Sequence, residues 1–354
     1  MTWPVTKLTE MIELALPIIQ APMAGGATTP ELVAAVSNAG GLGSLGAGYM
    51  RPEEIHAAIS AIRQLTSKPF SVNLFVPEKH HATQEQMQTM QSLLTPIAAE
   101  LNLKLEIPMP PYLPDFDKQM DVVITDNVPI ISFTFGIPEP KYLSALKQRN
   151  ILIMGTATTL HEALLWQMHG ADFIVAQGIE AGGHRGTFAH ELQDSLLGLM
   201  ALLPQIIDKV TMPVIAAGGI MDARGIVAAL ALGASGVQMG TAFLTCYESG
   251  IPAAYKKILL HTNEDNTVLT RVFSGRYARG VRNRFIELMQ EHQSDILDYP
   301  IQNAFTQPLR KAATKQDNAD FLSLWAGQAA YLCKEMSAAE LVVELDREVR
   351  RLAL

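Results

Sequence analysis

The sequence is poor in cysteine, in aromatic residues and in positive charge. Its two cysteines, Cys246 and Cys333, cannot build a disulfide framework in a chain of 354 residues, which fits a reducing compartment. Aromatic residues make up 6% of the chain, and the net charge is −8 with lysine and arginine scattered, so no basic face indicates a nucleic-acid partner. Lys7, Glu10 and Glu13 interrupt the N-terminal segment, which argues against a signal peptide. We therefore expect a cytoplasmic protein.

One uncharged stretch, residues 226–247, is long enough to span a bilayer. Gly233, Gly236 and Gly240 interrupt it, and Gln238 lies within it. A helix, a tight turn and a buried strand explain this pattern better than a membrane span, so we expect no membrane association.

Short apolar runs alternate with longer segments of helical periodicity along most of the chain. The predicted strands are residues 17–22, 41–46, 70–75, 129–135, 150–156, 173–178, 213–218 and 236–240. The predicted helices are residues 30–39, 52–65, 83–101, 159–169, 194–208 and 222–232, whereas residues 102–120 are proline-rich and irregular. Thr29 is the expected N-cap of the first of these helices, with Pro30 at its first position. Eight strands with intervening helices predict an α/β fold of the TIM (β/α)₈ barrel type.

The composition changes after residue 247. Residues 248–320 are more charged and less strand-like, which indicates a smaller, mostly helical lobe over the barrel mouth. Residues 337–352 are amphipathic and are expected to return to cover the last strand. The predicted division is a barrel of residues 1–247 plus about 325–354, and a lobe of about 248–324.

Paired glycines mark one end of the predicted barrel. Gly25-Gly26, Gly182-Gly183 and Gly218-Gly219 follow the first, sixth and seventh predicted strands, and so lie at the C-terminal rim where barrel enzymes place their sites. One such pair is an ordinary turn, but three at one rim favour a bound planar or phosphorylated ligand.

Two loops of this rim have the composition of a phosphate site. AAGGIMDARG (216–225) and QMGTAF (238–243) follow the seventh and eighth strands, where barrels bind phosphate through backbone amides. Gly218, Gly219, Gly240 and Thr241 are the natural donors, and no lysine is required. This points to flavin mononucleotide (FMN), although a barrel that binds a sugar phosphate would show the same loops.

The loop AQGIEAGGHRG (176–186) follows the sixth strand and carries the candidate catalytic residue. His184 lies there in a flexible, glycine-rich setting at the predicted mouth, and histidine exchanges protons near neutral pH. Gln177 can bond a flavin ring edge or a ribityl hydroxyl. Glu180 and Arg185 are expected to support the loop or to be solvated, and His184 with Arg185 supplies the obvious positive potential beside it.

Other classes of protein fit less well. A barrel of the inosine-monophosphate dehydrogenase type needs a nucleophilic cysteine after the sixth strand, and this loop has none. No metal site is expected, because His80-His81, His161 and His169 lack a ligand pattern. A regulatory protein that only binds flavin or phosphate remains an alternative, against which His184 and an open rim argue.

These loops resemble those of the class I nitronate monooxygenases, once called 2-nitropropane dioxygenases. The matching segments are PIIQAPMAGG (17–26), SNAGGLGSLGAGY (37–49), VNLFVP (72–77), SFTFGIP (132–138), the His184 loop, GGIMDARG with QMGTAF, FSGRYARGVRNRF (273–285) and LWAGQ (324–328). The sequence departs from the expected pattern at Tyr277, where the family favours proline.

The resemblance implies an enzyme that oxidises alkyl nitronates with O₂ to carbonyl compounds and nitrite, with FMN as cofactor. It makes His184 the catalytic histidine, which would bind the nitronate oxygens or exchange a proton, while Phe133 and Phe135 would form an apolar wall. Together with the glycine pairs, the expected cofactor-binding set is Pro22, Met23, Ala24, Asn73, Gln177, Gly182, Gly183, Gly218, Gly219, Gln238, Met239, Gly240 and Thr241.

The alternative function is that of an FMN-dependent enoyl-ACP reductase, which uses a nicotinamide cofactor and also carries an EAGGH loop. SFTFGIP and the long lobe look more like the monooxygenases. The expected partners are a small nitronate and O₂, and a homodimer is left open.

Overall fold

The computed structural model describes residues 3–262 and 266–353, and its strands follow the predicted pattern. The strands are β1 (Ile18–Gln20), β2 (Gly43–Gly46), β3 (Phe70–Phe75), β4 (Ile130–Thr134), β5 (Leu152–Ala157), β6 (Phe173–Gln177), β7 (Gly183–His184), β8 (Val214–Ala217), β9 (Gly236–Met239), β10 (Thr267–Thr270) and β11 (Ala278–Val281). Each of the eight predicted strands coincides with one of these, and β8 and β9 are the seventh and eighth strands of the barrel.

Those eight strands form one parallel sheet in the order β1-β9-β8-β6-β5-β4-β3-β2. The sheet closes at the seam between β1 and the approach to β2, where the Leu42 amide donates to the Ile18 carbonyl and the Gln20 amide donates to the Leu42 carbonyl, each at 2.9 Å. The predicted TIM barrel is therefore confirmed. Its parallel strands end at a common rim, which brings the glycine-rich loops together.

Helices surround the barrel. They are α1 (Lys7–Ile12), α2 (Pro30–Asn38), α3 (Pro52–Leu65), α4 (Gln84–Glu100), α5 (Phe116–Thr125), α6 (Pro140–Gln148), α7 (Leu160–Met168), α8 (Leu199–Ile207), α9 (Ala223–Ala231), α10 (Thr241–Leu244), α11 (Ala253–Leu260), α12 (Arg284–Leu288), α13 (Ile301–Lys315) and α14 (Ala338–Ala353). Thr29 caps α2 as predicted, since its hydroxyl accepts a hydrogen bond from the Leu32 amide at 3.0 Å.

The connection between β3 and β4 differs from the prediction. Residues 116–125 of this connection form α5, although the stretch to residue 120 was expected to be irregular. Asp115 starts the helix by accepting from the Lys118 amide at 3.2 Å, and Met120 and Val123 are buried in the barrel core. The start of α5 was not recognisable in the sequence, because a proline-rich segment precedes it and its apolar stripe is short.

The lobe contains strands as well as helices. β10 and β11 form an antiparallel pair, and β11 also pairs with β7, which belongs to the His184 loop. The sequence did not reveal β10 and β11, because each has only four residues and neither alternates apolar with polar side chains. The lobe core also takes in Met90 and Leu94 of α4, so that helix packs with the lobe rather than with the barrel wall.

The uncharged stretch of residues 226–247 forms part of α9, a turn, β9 and α10. No helix in the described part of the chain is long and apolar enough to cross a membrane. The amphipathic C-terminal helix α14 packs on α2 and α9, and buries Leu341, Val342 and Leu345 beside the seam of the barrel.

Candidate active site

A cavity of about 370 Å³ lies at the carboxyl ends of the barrel strands. Its walls come from the loops after β1, β6, β8 and β9 and from the lobe, including α13 and Trp325. This volume is within the usual range for small-molecule and cofactor sites.

The structure brings almost all of the predicted site residues to this cavity. Its lining includes Pro22, Met23, Ala24, Asn73, Gln177, Gly182, Gly183, His184, Gly218, Gly219, Gln238, Gly240 and Thr241. Met239 is the exception, because its side chain is 1% exposed and packs in the hydrophobic core between the barrel and its helices. Side chains alternate along a strand, so Gln238 faces the cavity and its neighbour Met239 does not.

Glycines give one end of the cavity the form of a phosphate cradle. Gly218 and Gly219 follow β8 with φ of 125° and 68°, a backbone conformation that residues with a Cβ rarely adopt. A Cβ on Gly219 would lie 3.2 Å from the Cβ of Glu180, so any larger side chain would be crowded. Gly240 and Thr241 follow the adjacent strand β9. The residues present therefore fit a phosphorylated cofactor such as FMN.

The amide side chains of Asn73 and Gln177 are engaged within the protein. Asn73 Nδ2 donates to the Ser132 hydroxyl at 2.9 Å. Gln177 Nε2 donates to the His184 carbonyl at 3.0 Å, and its Oε1 accepts from the Gly186 amide at 2.8 Å. Gln177 thus holds the His184 loop in place while it lines the cavity, a role that the sequence did not indicate.

His184 is held by the lobe and does not sit in a flexible loop as expected. The short strand β7 pairs with β11, where His184 lies opposite Ala278. The ring Nε2 is 2.9 Å from the Ser274 hydroxyl, whose oxygen is 3.0 Å from the Arg276 carbonyl. Pairing between segments about 90 residues apart leaves no local signal, so the glycines around His184 suggested mobility.

Aromatic side chains surround the His184 ring. The ring centroid is 5.5 Å from that of Trp325, 5.7 Å from Phe135, 6.3 Å from Tyr299 and 6.4 Å from Phe75. Of the two phenylalanines expected to form a wall, Phe135 therefore lies beside the histidine.

The other predicted wall residue, Phe133, points elsewhere. It is fully buried and stacks on Trp166 at 6.1 Å, in the core outside the cavity. Phe135, two residues further along the chain, has a φ of 75°, which is unusual for a bulky residue. Backbone strain of this kind recurs at functional sites.

The surroundings of His184 keep its ring neutral. Burial is the largest cause that lowers the pKa of His184 to about 3, and the positive charges of Arg276 and Arg310 contribute to the same shift. Arg276 lies with its guanidinium carbon 4.1 Å above the Phe135 ring and is paired with Glu78. The positive potential near the histidine thus comes from the lobe.

Arg185 is not the source of that potential, contrary to expectation. Its side chain is only 2% exposed, and its guanidinium donates to the Gln177, Gly178 and Ser195 carbonyls at 2.7–3.0 Å. Burial lowers the pKa of Arg185 to about 10. Arg185 therefore supports the loop from behind, which was the other role expected of it. Glu180 supports it too, since it accepts from the Leu199 amide at 2.8 Å.

Glu162 completes the support of this loop. The carboxylate is fully buried and accepts from the Thr158 amide at 2.6 Å and the Thr158 hydroxyl at 2.7 Å. It also accepts from the Phe188 amide at 2.6 Å and the Ala189 amide at 3.0 Å. One buried carboxylate therefore joins the loop after β5 to the segment that follows His184.

Sequence reasoning did not single out the lobe residues that line this cavity or lie near His184. Ser274, Arg276 and Trp325 lie in the segments 273–285 and 324–328, which the resemblance had marked without assigning roles. The sequence did not indicate a site role for Tyr299 or Arg310, because polar residues on an amphipathic helix and in the loop before it are usually solvated.

Comparisons with known proteins agree with this geometry. A family model described as nitronate monooxygenase matches residues 6–348. A protein of Staphylococcus saprophyticus named probable nitronate monooxygenase is 45% identical over 349 residues, which cover 98% of each chain. The structure of a nitroalkane oxidase from Streptomyces ansochromogenes matches with a TM-score of 0.91 at 40% identity, over 98% of both chains. FabK from Thermotoga maritima matches with a TM-score of 0.78 at 31% identity, over 99% of this chain and 97% of its own.

Proposed function

Because this chain belongs to the nitronate monooxygenase family, a family of flavin-dependent oxidoreductases, we propose that it uses FMN and O₂ to oxidise small alkyl nitronates. In this reaction the carbon–nitrogen bond of the nitronate breaks, the carbon becomes a carbonyl and the nitrogen leaves as nitrite. The observation that carries the proposal is a neutral, immobilised His184 at a cavity that combines a glycine cradle with nearby arginine charge.

FMN would be held by the glycine end of the cavity. The amides around Gly219 and Gly240 would bind the phosphate, and Pro22 to Ala24 would lie against the flavin. When bound, FMN would supply a one-electron acceptor that passes the electron to O₂. The protein's own tasks are to position the nitronate, to balance its charge and to exclude water.

His184 would hold the nitronate through the ring nitrogen that does not face Ser274. In the structure the Ser274 hydroxyl donates to the Arg276 carbonyl and accepts from Nε2–H of His184. On substrate binding that hydroxyl would turn to donate to Nε2, so that Nδ1 carries the ring proton and donates to a nitronate oxygen. The aromatic side chains around the ring, Phe135 and Trp325 among them, keep its orientation fixed.

The same histidine disfavours the neutral nitroalkane as substrate. A nitroalkane must first lose a proton from carbon, and a ring with a pKa of about 3 is a weak base for that step. A nitronate arrives already deprotonated, so we propose that it is preferred.

The alternative of a nicotinamide-dependent enoyl reductase has less support, since FabK is the more distant structural neighbour. The sequence also offers no second phosphate cradle for a dinucleotide. Cytoplasmic location, the absence of a nucleic-acid partner, the oligomeric state and the two-domain division remain predictions.

A comparison of substrates tests the proposal. The purified protein should be yellow and should release FMN on denaturation, and its visible spectrum should bleach when ethyl nitronate is added without O₂. Oxygen consumption should then be faster with ethyl nitronate than with nitroethane. Rapid bleaching by NADH and none by nitronate would assign the protein to the enoyl reductases, while extraction of FAD would refute the cofactor assignment.

A further inference from the structure

Helix α13 presents a polar face to the cavity. Asn303, Gln307, Arg310, Lys311 and Thr314 all line it. Their spacing along the chain follows successive turns of one helix face. The opposite face, with Phe305, Leu309 and Ala313, packs in the core of the lobe, so the orientation of α13 is set by burial.

Anchoring contacts tie α13 to the segment that holds His184. Gln302 Nε2 donates to the Val272 carbonyl at 2.8 Å, and the Thr306 hydroxyl donates to the Phe273 carbonyl. Phe273 immediately precedes Ser274, the hydrogen-bond partner of His184. Hydrogen bonds therefore connect α13 to the segment that contacts His184.

Arg310 on this face lacks an anionic partner. Its NH2 group donates to Asn303 Oδ1 at 2.6 Å and to the Asn303 carbonyl at 3.2 Å. Its Nε atom is buried and makes no hydrogen bond within residues 3–262 and 266–353. Across the same described residues, no aspartate or glutamate is within ion-pair distance of Arg310, whereas Arg276 is paired with Glu78.

Burial of a charged guanidinium destabilises the folded protein unless a nearby group offsets the charge. Burial lowers the pKa of Arg310, and the group that opposes this effect is the Tyr49 hydroxyl. The Tyr49 and Tyr299 hydroxyls are buried next to each other, and neither has a charged partner among the described residues that would offset Arg310. The Nε–H of Arg310 lacks an acceptor among these residues although Arg310 lines the cavity, and a ligand with acceptor oxygens and negative charge would most simply satisfy it.

We propose that Arg310 binds the negative charge of the substrate and makes the cavity select a nitronate over the neutral nitroalkane. The inference rests on the proposed function for the identity of the substrate, but the anion site itself does not. Arg310 and His184 line the same cavity, and the charge of Arg310 acts on the His184 ring. Arg310 would therefore attract an oxyanion into the cavity that His184 also lines.

The role has a kinetic signature. A nitronate loses its negative charge as it gives up an electron, which ultimately reduces O₂, so its attraction to Arg310 is strongest before the reaction. Removal of the guanidinium should therefore weaken substrate binding and leave the rate of the bound complex nearly unchanged. Loss of one charge-assisted pair corresponds to roughly a 10- to 100-fold rise in KM.

Three variants of α13 test this proposal. Arg310→Met removes the charge and keeps an unbranched apolar stem, Arg310→Lys keeps a charge, and Lys315→Gln removes an exposed charge from the same helix outside the cavity. Steady-state kinetics with ethyl nitronate and with nitroethane give KM and kcat for each protein. Thermal stabilisation by nitrate, an inert planar oxyanion, measures anion binding without turnover.

We expect Arg310→Met to raise KM for ethyl nitronate at least 10-fold, with kcat within about threefold and KM for nitroethane unchanged. Nitrate should stabilise the wild type and Lys315→Gln, but not Arg310→Met, and Arg310→Lys should retain most of the discrimination. If Arg310→Met does not fold, unchanged nitrate binding and KM in Arg310→Gln would equally overturn the proposal.

Other results would overturn the inference or separate it from the proposed function. Loss of FMN from a folded Arg310→Met would place the residue in the cofactor site, and a fall in kcat at constant KM would make it a positioning residue for His184. If the wild type does not oxidise nitronates but binds nitrate through Arg310, the proposed function fails and the anion site stands.

Discussion

The neutral state of His184 predicts a specific dependence of stability on pH. Its pKa in the folded protein is about 3, against 6.5 for an ordinary histidine. Between these two values the unfolded chain binds a proton that the folded protein does not. The contribution of this group to stability is therefore complete above pH 6.5 and is lost progressively as the pH falls from 6.5 towards 3.

The magnitude follows from the size of the shift. Each pH unit below 6.5 lowers the free energy of unfolding by about 1.4 kcal/mol, so the loss from this histidine is about 2 kcal/mol at pH 5. This figure is an upper value, because the ring faces a solvent-accessible cavity. Divided by the unfolding entropy of a chain of this size, a loss of about 2 kcal/mol corresponds to a fall in Tm of roughly 3 °C.

The perturbation that isolates this effect is His184→Asn, which cannot titrate but can still hydrogen-bond Ser274. Urea unfolding of wild type and variant is measured at pH 5 and pH 8 in a buffer without small oxyanions. The difference between the two pH values should be about 2 kcal/mol smaller in His184→Asn than in the wild type. His169→Asn, at the exposed end of α7, is the matched control and should behave as the wild type. Equal pH dependences of wild type and His184→Asn would refute the reasoning.

Three further predictions concern the cofactor, the chemistry and the loop. Gly219→Val should fold but lose FMN, because the new Cβ would lie 3.2 Å from the Cβ of Glu180 and displace the cradle loop. Gly26→Val is also at positive φ, but it lies outside the cavity with no atom within 4 Å of the new Cβ, and it should keep FMN. Flavin occupancy measured from the visible spectrum decides between them. His184→Asn should retain FMN and lose about 10²–10⁴-fold in turnover of ethyl nitronate, and near-normal turnover would exclude a catalytic role. Glu162→Gln should lower the free energy of urea unfolding by about 2–4 kcal/mol and reduce turnover, because buried amides lose their charged acceptor; the exposed Glu53→Gln should do neither.

Features with a local physical cause were predictable from the sequence. Apolar runs of the correct length identified the eight barrel strands, and Thr29 identified the start of a helix, since each depends on neighbouring residues alone. The glycine-rich end of the cavity, where we propose that the phosphate binds, was also predictable, because parallel strands in a barrel carry successive loops to one rim. Met239 was expected to help hold the cofactor as part of a motif; the two-residue alternation of the strand directs its side chain into the hydrophobic core.

The sequence by itself thus determined the barrel, the rim that carries the cavity and the histidine that lies there, because periodicity and glycine placement act over a few residues. Only the tertiary structure decided the electrostatic state of that histidine. Its pKa depends on burial and on Arg276 and Arg310, which lie about 90 and 125 residues further along the chain and approach it only when the lobe packs over the barrel. Charge, unlike periodicity, acts through space, so the chemistry of the cavity emerges only after the chain has folded.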